Sequence, residues 1–209
     1  MSVSGLVLQP VTEEVLPQVA CLHRKAFPGS ALTLLGCEAS RRYYHWQLHG
    51  PHDHVFAAAY LGRRMCGYAI GGVSRGAMSG FVKRHRMFLC LTAIMTPSLL
   101  FSQQLRGRLS LGLGVLMGCT QHSAPTGAKH TGRSFGVLAI GVEPESQGMG
   151  IGRALMNHLE SVALKGGFTR MHLTVSAENK KAIRFYESLG WSREEGEGGW
   201  RGYMWRTLS

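Results

Sequence analysis

Apolar positions recur along this chain with two different periods, and the change from one to the other outlines its elements. Ser4 to Leu8 reads as a short first strand. From Glu13 onward Val15, Val19, Leu22 and Ala26 recur at i, i+4, i+7 and i+11, which lines one face of an α-helix. Phe27-Pro28-Gly29-Ser30 supplies breaker chemistry that ends it. A second helix is expected over Cys37 to His49. Two apolar runs, Val55–Tyr60 and Met65–Val73, flank Leu61-Gly62-Arg63-Arg64 and predict a β-hairpin.

Residues 76–133 break this rhythm, with basic clusters, apolar runs and small residues mixed together. One or two amphipathic helices around 81–105 are expected there, then a loop-like exit through HSAPTGAKHTGR. From Ser134 the pattern is regular again. Phe135–Val142 reads as a strand, and a helix within Gln147–Lys165 buries Ile151, Leu155, Leu159 and Val162. Met171, Leu173 and Val175 alternate along a strand from Arg170. Asn179–Leu189 reads as a helix with Ala182, Ile183, Tyr186 and Leu189 inward and Gly190 at its C-terminal cap. Trp191-Ser192 and Trp200–Thr207 form a closing pair of strands. The expected fold is an α/β (α+β) sandwich around a mixed sheet, one domain over residues 1–209 with an insert at about 76–133.

Composition narrows the class. Over 209 residues, 44% are hydrophobic and 17% charged, and the 28 glycines follow no period. Such a chain buries a real core, so disorder and collagen-like repeats are excluded. The five cysteines form no CxxC pair, which excludes a readable zinc ribbon or thioredoxin-type site. With no basic and apolar leader over MSVSGLVLQPVTEE, they suit reduced thiols and a cytoplasmic setting. The longest apolar stretch, Met87–Phe101, is interrupted by Thr92, Thr96, Pro97 and Ser98 and falls short of the roughly 20 residues that span a bilayer.

The net charge of +11 is unevenly placed. Residues 76–133 hold Lys83, Arg84, Arg86, Arg106, Arg108, Lys129 and Arg133 and no acid, and no Asp or Glu lies between Asp53 and Glu143. A one-sign field draws anions such as phosphorylated ligands or acidic lipid surfaces. Peripheral contact with the inner face of an anionic membrane through 76–133 is one expectation. An ordinary helical lid is the plainer one.

The segment that carries chemistry is Val142-Glu143-Pro144-Glu145-Ser146-Gln147-Gly148-Met149-Gly150-Ile151-Gly152-Arg153. A strand ends, a glycine-rich turn follows, and a helix begins. Glycines let the backbone approach a ligand, and a helix N-terminus offers free N–H groups at its positive dipole end. The turn lacks the Gly-Lys-Ser/Thr ending of a Walker A loop, and Arg153 stands where a dinucleotide fingerprint needs glycine.

This run, Val142-x-Pro144-x-x-Gln147-Gly148-x-Gly150-x-Gly152, resembles motif A of the GNAT superfamily of acyl-CoA-dependent N-acetyltransferases. Asn179-Lys180-Lys181-Ala182-Ile183-Arg184-Phe185-Tyr186-Glu187-Ser188-Leu189-Gly190-Trp191 is similar to its second signature. The likeness is strong over about Phe135–Trp191, rests on element order alone over 1–75, and is absent over 76–133. It implies a GNAT-like, mostly antiparallel central sheet flanked by helices, with acetyl-CoA as co-substrate. Ile140, Gly141 and Val142 would then pair with the pantetheine amides. Gln147, Gly148, Met149, Gly150, Ile151 and Gly152 would hold the pyrophosphate through main-chain N–H groups, with Arg153 adding charge. Asn179 would bond pantetheine, and Tyr186 would stand beside the thioester sulfur as proton donor. A phenol there suits the reaction, since the leaving thiolate gains from protonation. Tyr186 also lies on the inward helix face, where a plain core aromatic would sit.

One departure bears on the acceptor. Relatives that acetylate protein N-termini often carry glutamate in the strand before the second signature, whereas this chain reads Leu173-Thr174-Val175. Threonine is a poor base. His45 and His49, at i and i+4 in a cluster with His52, Asp53 and His54, have zinc-binding spacing. The family's chemistry requires no metal, so none is expected, and a substrate-proximal base among these residues is the somewhat better reading. His122 and His130 are weaker candidates. The stretch from Phe27-Pro28-Gly29-Ser30 to Leu32–Gly36, with the basic insert, resembles GNAT members of bacterial glycan biosynthesis. The expected activity is therefore direct acetyl transfer, in a ternary complex, to a primary amine of a small molecule such as an amino sugar or nucleotide-linked amino sugar. Two alternatives stay open: a protein N-terminal or lysine acetyltransferase, and a non-catalytic acyl-CoA-binding or membrane-associated module. A homodimer is compatible with all three, and nucleic acid is not an expected partner.

Overall fold

The computed structural model describes residues 5–73, 77–95, 133–196 and 199–208. The loop-like exit at 122–132, Arg106, Arg108 and the 96–105 end of the expected helices lie outside them. The chain divides into two units, one made of Met1–Val11, Asp53–Ser74 and Gly127–Ser209, the other of Thr12–His52 and Arg75–Thr126.

The first unit is a seven-stranded sheet: β1 (Leu6–Pro10), β2 (His54–Leu61), β3 (Arg64–Gly72), β4 (Ser134–Val142), β5 (Arg170–Thr174), β6 (Ser192–Gly196) and β7 (Gly199–Thr207). Their order is β1-β2-β3-β4-β5-β7-β6, so the last strand in sequence lies inside the sheet. All neighbours are antiparallel except β4 and β5. That one parallel pair needs a crossover, and the helix Ile151–Lys165 supplies it. Among the helices of the described residues it is α6, because the second unit holds α1 to α5 there; a short α7 covers Lys180–Glu187.

Helix α6 carries the expected stripe. Ile151, Leu155 and Leu159 are buried almost completely, each burial contributing about 1.5–3 kcal/mol. They pack with Phe135 and Val137 of β4, Met171 and Leu173 of β5, and Ile183 and Tyr186 of α7. The helix reaches the sheet closely because β3 reads Gly67-x-Ala69-x-Gly71 on the shared face. A Cβ on Gly71 would lie 2.3 Å from the Phe135 ring and 3.2 Å from Leu159.

The second unit is helical: a 3-10 turn Glu13–Val15, then α1 (Leu16–Ala26), α2 (Ala31–Leu34), α3 (Cys37–His49), α4 (Ala77–Arg84) and α5 (Arg86–Met95). The periodic run from Glu13 thus opens as a 3-10 turn, with Pro17 in the first turn of the α-helix that follows. After the expected break, Ser30 caps α2 by accepting from Thr33 N–H at 3.1 Å. His23 is buried between Ser30 Oγ at 2.9 Å and the Tyr44 hydroxyl at 2.6 Å. Burial holds its imidazole neutral by lowering its pKa to about 4. Tyr43 meets Phe81 edge to face at 5.4 Å, and Arg42 lies over the Phe88 ring at 4.1 Å, joining α3 to α4 and α5. Helix α5 exposes Met87, Leu91 and Met95, one turn apart. Among the described residues no helix is long and apolar enough to cross a membrane.

Candidate functional site

Strands β4 and β5 pair only at Ser134↔Arg170, Phe135↔Met171 and Gly136↔His172. On its other side β4 continues to pair with β3 as far as Val142. Its register against β3 skips a residue, because Gly71 faces Val137 while Ile70 faces Ala139. Leu138 is the extra residue of a β-bulge, which bends the bulged strand. The bulge lies two residues beyond the last β5 pair, so β4 leaves β5 where it bends. From Val137 to Val142 the β5-facing edge of β4 has no strand partner among the described residues. Leu138, Ala139 and Ile140 are only half-buried there. At the root of the opening, Ser134 Oγ lies 2.7 Å from His172 Nδ1, and the His172 ring stacks on Tyr203.

The far end of β4 runs into the glycine turn. Pro144–Ser146 form a 3-10 turn, and Gln147, Gly148 and Met149 stand exposed. Gly148 and Gly150 both take φ +84, the left-handed region that disfavours any side chain. Gly150 is the N-cap of α6, and the first intrahelical bond runs from Ala154 N–H to Gly150 C=O at 3.0 Å. The N–H groups of Ile151, Gly152 and Arg153 therefore have no partner inside the helix. A Cβ added at Gly148 would meet nothing within 4 Å. N–H groups without an intrahelical partner, the open space at Gly148 and the positive end of a 15-residue helix suit this turn to an anion.

The second signature comes to the same place. Lys181 Nζ donates to Gln147 Oε1, and Gln147 Nε2 donates to Val142 C=O at 3.2 Å. A Cβ at Gly152 would press on the Phe185 ring at 3.1 Å, so a larger residue there would push that ring back by a few tenths of an ångström. Asn179 caps α7: its Oδ1 accepts from Ala182 N–H at 3.1 Å. That contact uses the oxygen and leaves the Nδ2 donors open among the described residues.

Tyr186 is 8% exposed, and burial pushes its hydroxyl up to about 12, so it keeps its proton throughout the neutral range. Its hydroxyl makes no hydrogen bond among the described residues. The backbone at Tyr186 is fixed by the way α7 stops. Trp191 N–H bonds Tyr186 C=O at 3.1 Å and Gly190 N–H bonds Glu187 C=O at 2.9 Å, with Gly190 at φ +79. This is a Schellman motif, and the Trp191 ring lies 6.0 Å from that of Tyr186, the apolar contact that accompanies such stops.

The structure thus brings Val142, Gln147 and Gly152 to Lys181 and Phe185 of α7, close in the chain to the cap residue Asn179 and to Tyr186. Sequence reading did not find Glu143, which is buried and bound to Arg64 Nη2 at 2.7 Å, with Glu145 on the same guanidinium at 2.7 Å. This pair ties the start of β3 to the turn after β4, and its only sequence signal is an acid beside the motif's proline. Thr174 is exposed at the end of β5 opposite Tyr203 of β7.

Known proteins share this arrangement. A family model described as "Acetyltransferase (GNAT) family" matches residues 109–191. The mycothiol acetyltransferase of Kocuria rhizophila is 46% identical over 61 residues, which is 27% of this chain and 19% of that protein. The [ribosomal protein bS18]-alanine N-acetyltransferase of Escherichia coli is 45% identical over 53 residues, 25% of this chain and 36% of that protein. The matched stretch thus spans only about a fifth to a third of these relatives. Among solved structures, the ribosomal-protein-S18-alanine N-acetyltransferase from Escherichia coli has a TM-score of 0.56 at 18% identity, covering 98% of this chain and 94% of that one. The PaiA N-acetyltransferase from Thermoplasma acidophilum, in complex with coenzyme A, has a TM-score of 0.58 at 13% identity, covering 99% of both chains. The neighbours share the fold, and over residues 109–191, which hold the bent strand, the glycine turn and the helix behind it, the chain matches the GNAT family of acetyltransferases.

Proposed function

We propose that this chain acts as one acetyl-CoA-dependent N-acetyltransferase domain that acetylates a primary amine of a small molecule. The observation that carries the reading is the parting of β4 from β5 directly beside a turn with open N–H groups. The β5-facing edge of β4 at Ile140, Gly141 and Val142, which has no strand partner among the described residues, suits a linear ligand with amides of its own. Gln147 to Gly152 suit its pyrophosphate, Arg153 adds charge, and the open Nδ2 donors of Asn179 suit an amide or hydroxyl along its length. In the reaction the amine nitrogen attacks the thioester carbonyl, the N–C bond forms and the C–S bond breaks. Tyr186, protonated well past neutrality, gives its proton to the departing sulfur, while the amine's proton leaves to solvent or a base. No cysteine lies within the turn or α7, so transfer is direct.

The acceptor reading rests on Thr174 and on the basic run 76–133. A threonine where relatives that modify protein N-termini carry glutamate favours a small acceptor, and the positive field favours an anionic one such as a nucleotide-linked amino sugar. The names of the relatives include both kinds, one for mycothiol and one for a ribosomal protein alanine. A screen with acetyl-CoA and thiol detection across amino sugars, their nucleotide conjugates, polyamines, amino acids and alanine-starting peptides decides between them. Turnover confined to peptides overturns the small-acceptor reading. Tight coenzyme A binding with no turnover supports a non-catalytic acyl-CoA module. The exposed Met87, Leu91 and Met95 beside Lys83, Arg84 and Arg86 favour contact with an anionic bilayer as well, which cosedimentation with acidic but not neutral vesicles tests.

A further inference from the structure

One cluster of side chains has no part in the reading above. His45 and His49 occupy successive turns of α3, and Glu13 opens the 3-10 turn before α1, all within the unit Thr12–His52. His45 Nε2 lies 3.5 Å from Glu13 Oε1, and His49 Nε2 lies 3.6 Å from Glu13 Oε2. The two imidazole rings are 4.7 Å apart, and the three ligand atoms lie within 4.8 Å of one another. We propose that Glu13, His45 and His49 form a binding site for a zinc-like divalent transition-metal ion that clasps the 3-10 turn to the end of α3.

The spacing carries the argument. Donors about 2.0–2.1 Å from a tetrahedral ion stand roughly 3.4 Å from each other, and each imidazole nitrogen is within 0.2 Å of that distance from a Glu13 oxygen, His45 from Oε1 and His49 from Oε2. Both separations are longer than an ordinary hydrogen bond, and each matches the separation that two ligands of one ion keep. The histidines sit at i and i+4 on a 13-residue helix, which holds them on one face without rearrangement. Two nitrogens and one oxygen suit zinc and its neighbours and disfavour magnesium and calcium, which prefer oxygen sets. All three side chains are about half exposed or more, so water takes the fourth position. The Arg41 guanidinium, which feels the Glu13 carboxylate, opposes the ion. Acetyl transfer does not need this ion; its effect is on the fold.

Zinc chloride titrated into metal-free, full-length protein tests the site by calorimetry, with no coenzyme A present. Wild type and the control His158→Gln are expected to bind one equivalent alike. His45→Gln and His49→Gln are expected to weaken binding by about tenfold or more each, and magnesium to give no heat. Zinc should also raise the melting temperature of the wild type and leave that of the double variant unchanged. Exposed Cys21, Cys37 and Cys90 are common to every variant. If the double variant binds zinc as tightly as wild type, the metal belongs to those thiols and the proposal is overturned. Circular dichroism confirms that each variant folds, as substitutions at such exposed positions should.

Discussion

Replacing Gly148 with alanine separates the cost of a strained backbone from the loss of a ligand. Gly148 sits at φ +84, where an L-residue loses about 1–2 kcal/mol. No atom lies within 4 Å of the added Cβ, so no clash adds to that strain. Gly167, just past the other end of α6, is its natural control. It has φ +71, and its added Cβ would meet only Arg133 Nη1, at 3.9 Å. Both variants should lose the same 1–2 kcal/mol or so, at about 2–4 °C of melting temperature per kcal/mol for a chain of this size. The new methyl of Gly148→Ala, however, stands in open space on the exposed glycine turn that leads into α6. Coenzyme A affinity should fall about tenfold or more there, worth ~1.4 kcal/mol, and hold in Gly167→Ala. Thermal melts and calorimetry with coenzyme A give both numbers for each protein. Equal coenzyme A affinity in Gly148→Ala and wild type would falsify the cradle assignment, and an equal loss in Gly167→Ala would reduce the effect to strain.

Tyr186→Phe keeps the ring against Trp191 and removes the proton donor, so acetyl-CoA affinity should hold while kcat falls by about 10²–10⁴ in steady-state assays. A kcat within twofold of wild type would hand the step to water. His23, held at about 4 against an ordinary 6.5, makes the helical unit acid-sensitive. Because its folded pKa is lowered, its contribution of about 3 kcal/mol is complete above pH 6.5 and lost as pH falls towards 4. Denaturant midpoints followed from pH 7.5 to 4 should drop in wild type and flatten in His23→Gln; parallel curves would refute the assignment.

Elements with a local signal were legible in the chain itself. The hairpin, the α6 stripe and the Gly190 stop are written in residues within one or two turns of each other, and they appear where the periodicity puts them. The bulge at Leu138 is different. It lies inside the uniform run Phe135–Val142, and only the register against β3, a strand from the other side of the insert, reveals it. The insertion of β7 between β5 and β6 is likewise a property of the assembled sheet. Arg64 and Glu143, 79 positions apart in the chain, could be matched only once β3 and β4 were side by side. Asn179 shows a subtler limit, because the residue expected at the ligand also caps its own helix. Ser30 had been read as part of a break, yet the same hydroxyl starts α2 and supports His23.

A sheet that parts in its middle carries a third edge, one that faces inward. Outer edges such as β1 and β6 are open to any extended chain, which is the usual route to unwanted association. The inner edge along Val137–Val142 differs, because it starts at the last β4–β5 pair, Gly136↔His172, and ends at the glycine turn. Under the proposed function, the bulge turns the hunger of an unfinished sheet for one more strand toward a thread of amides and methylenes, a small molecule instead of a neighbouring protein.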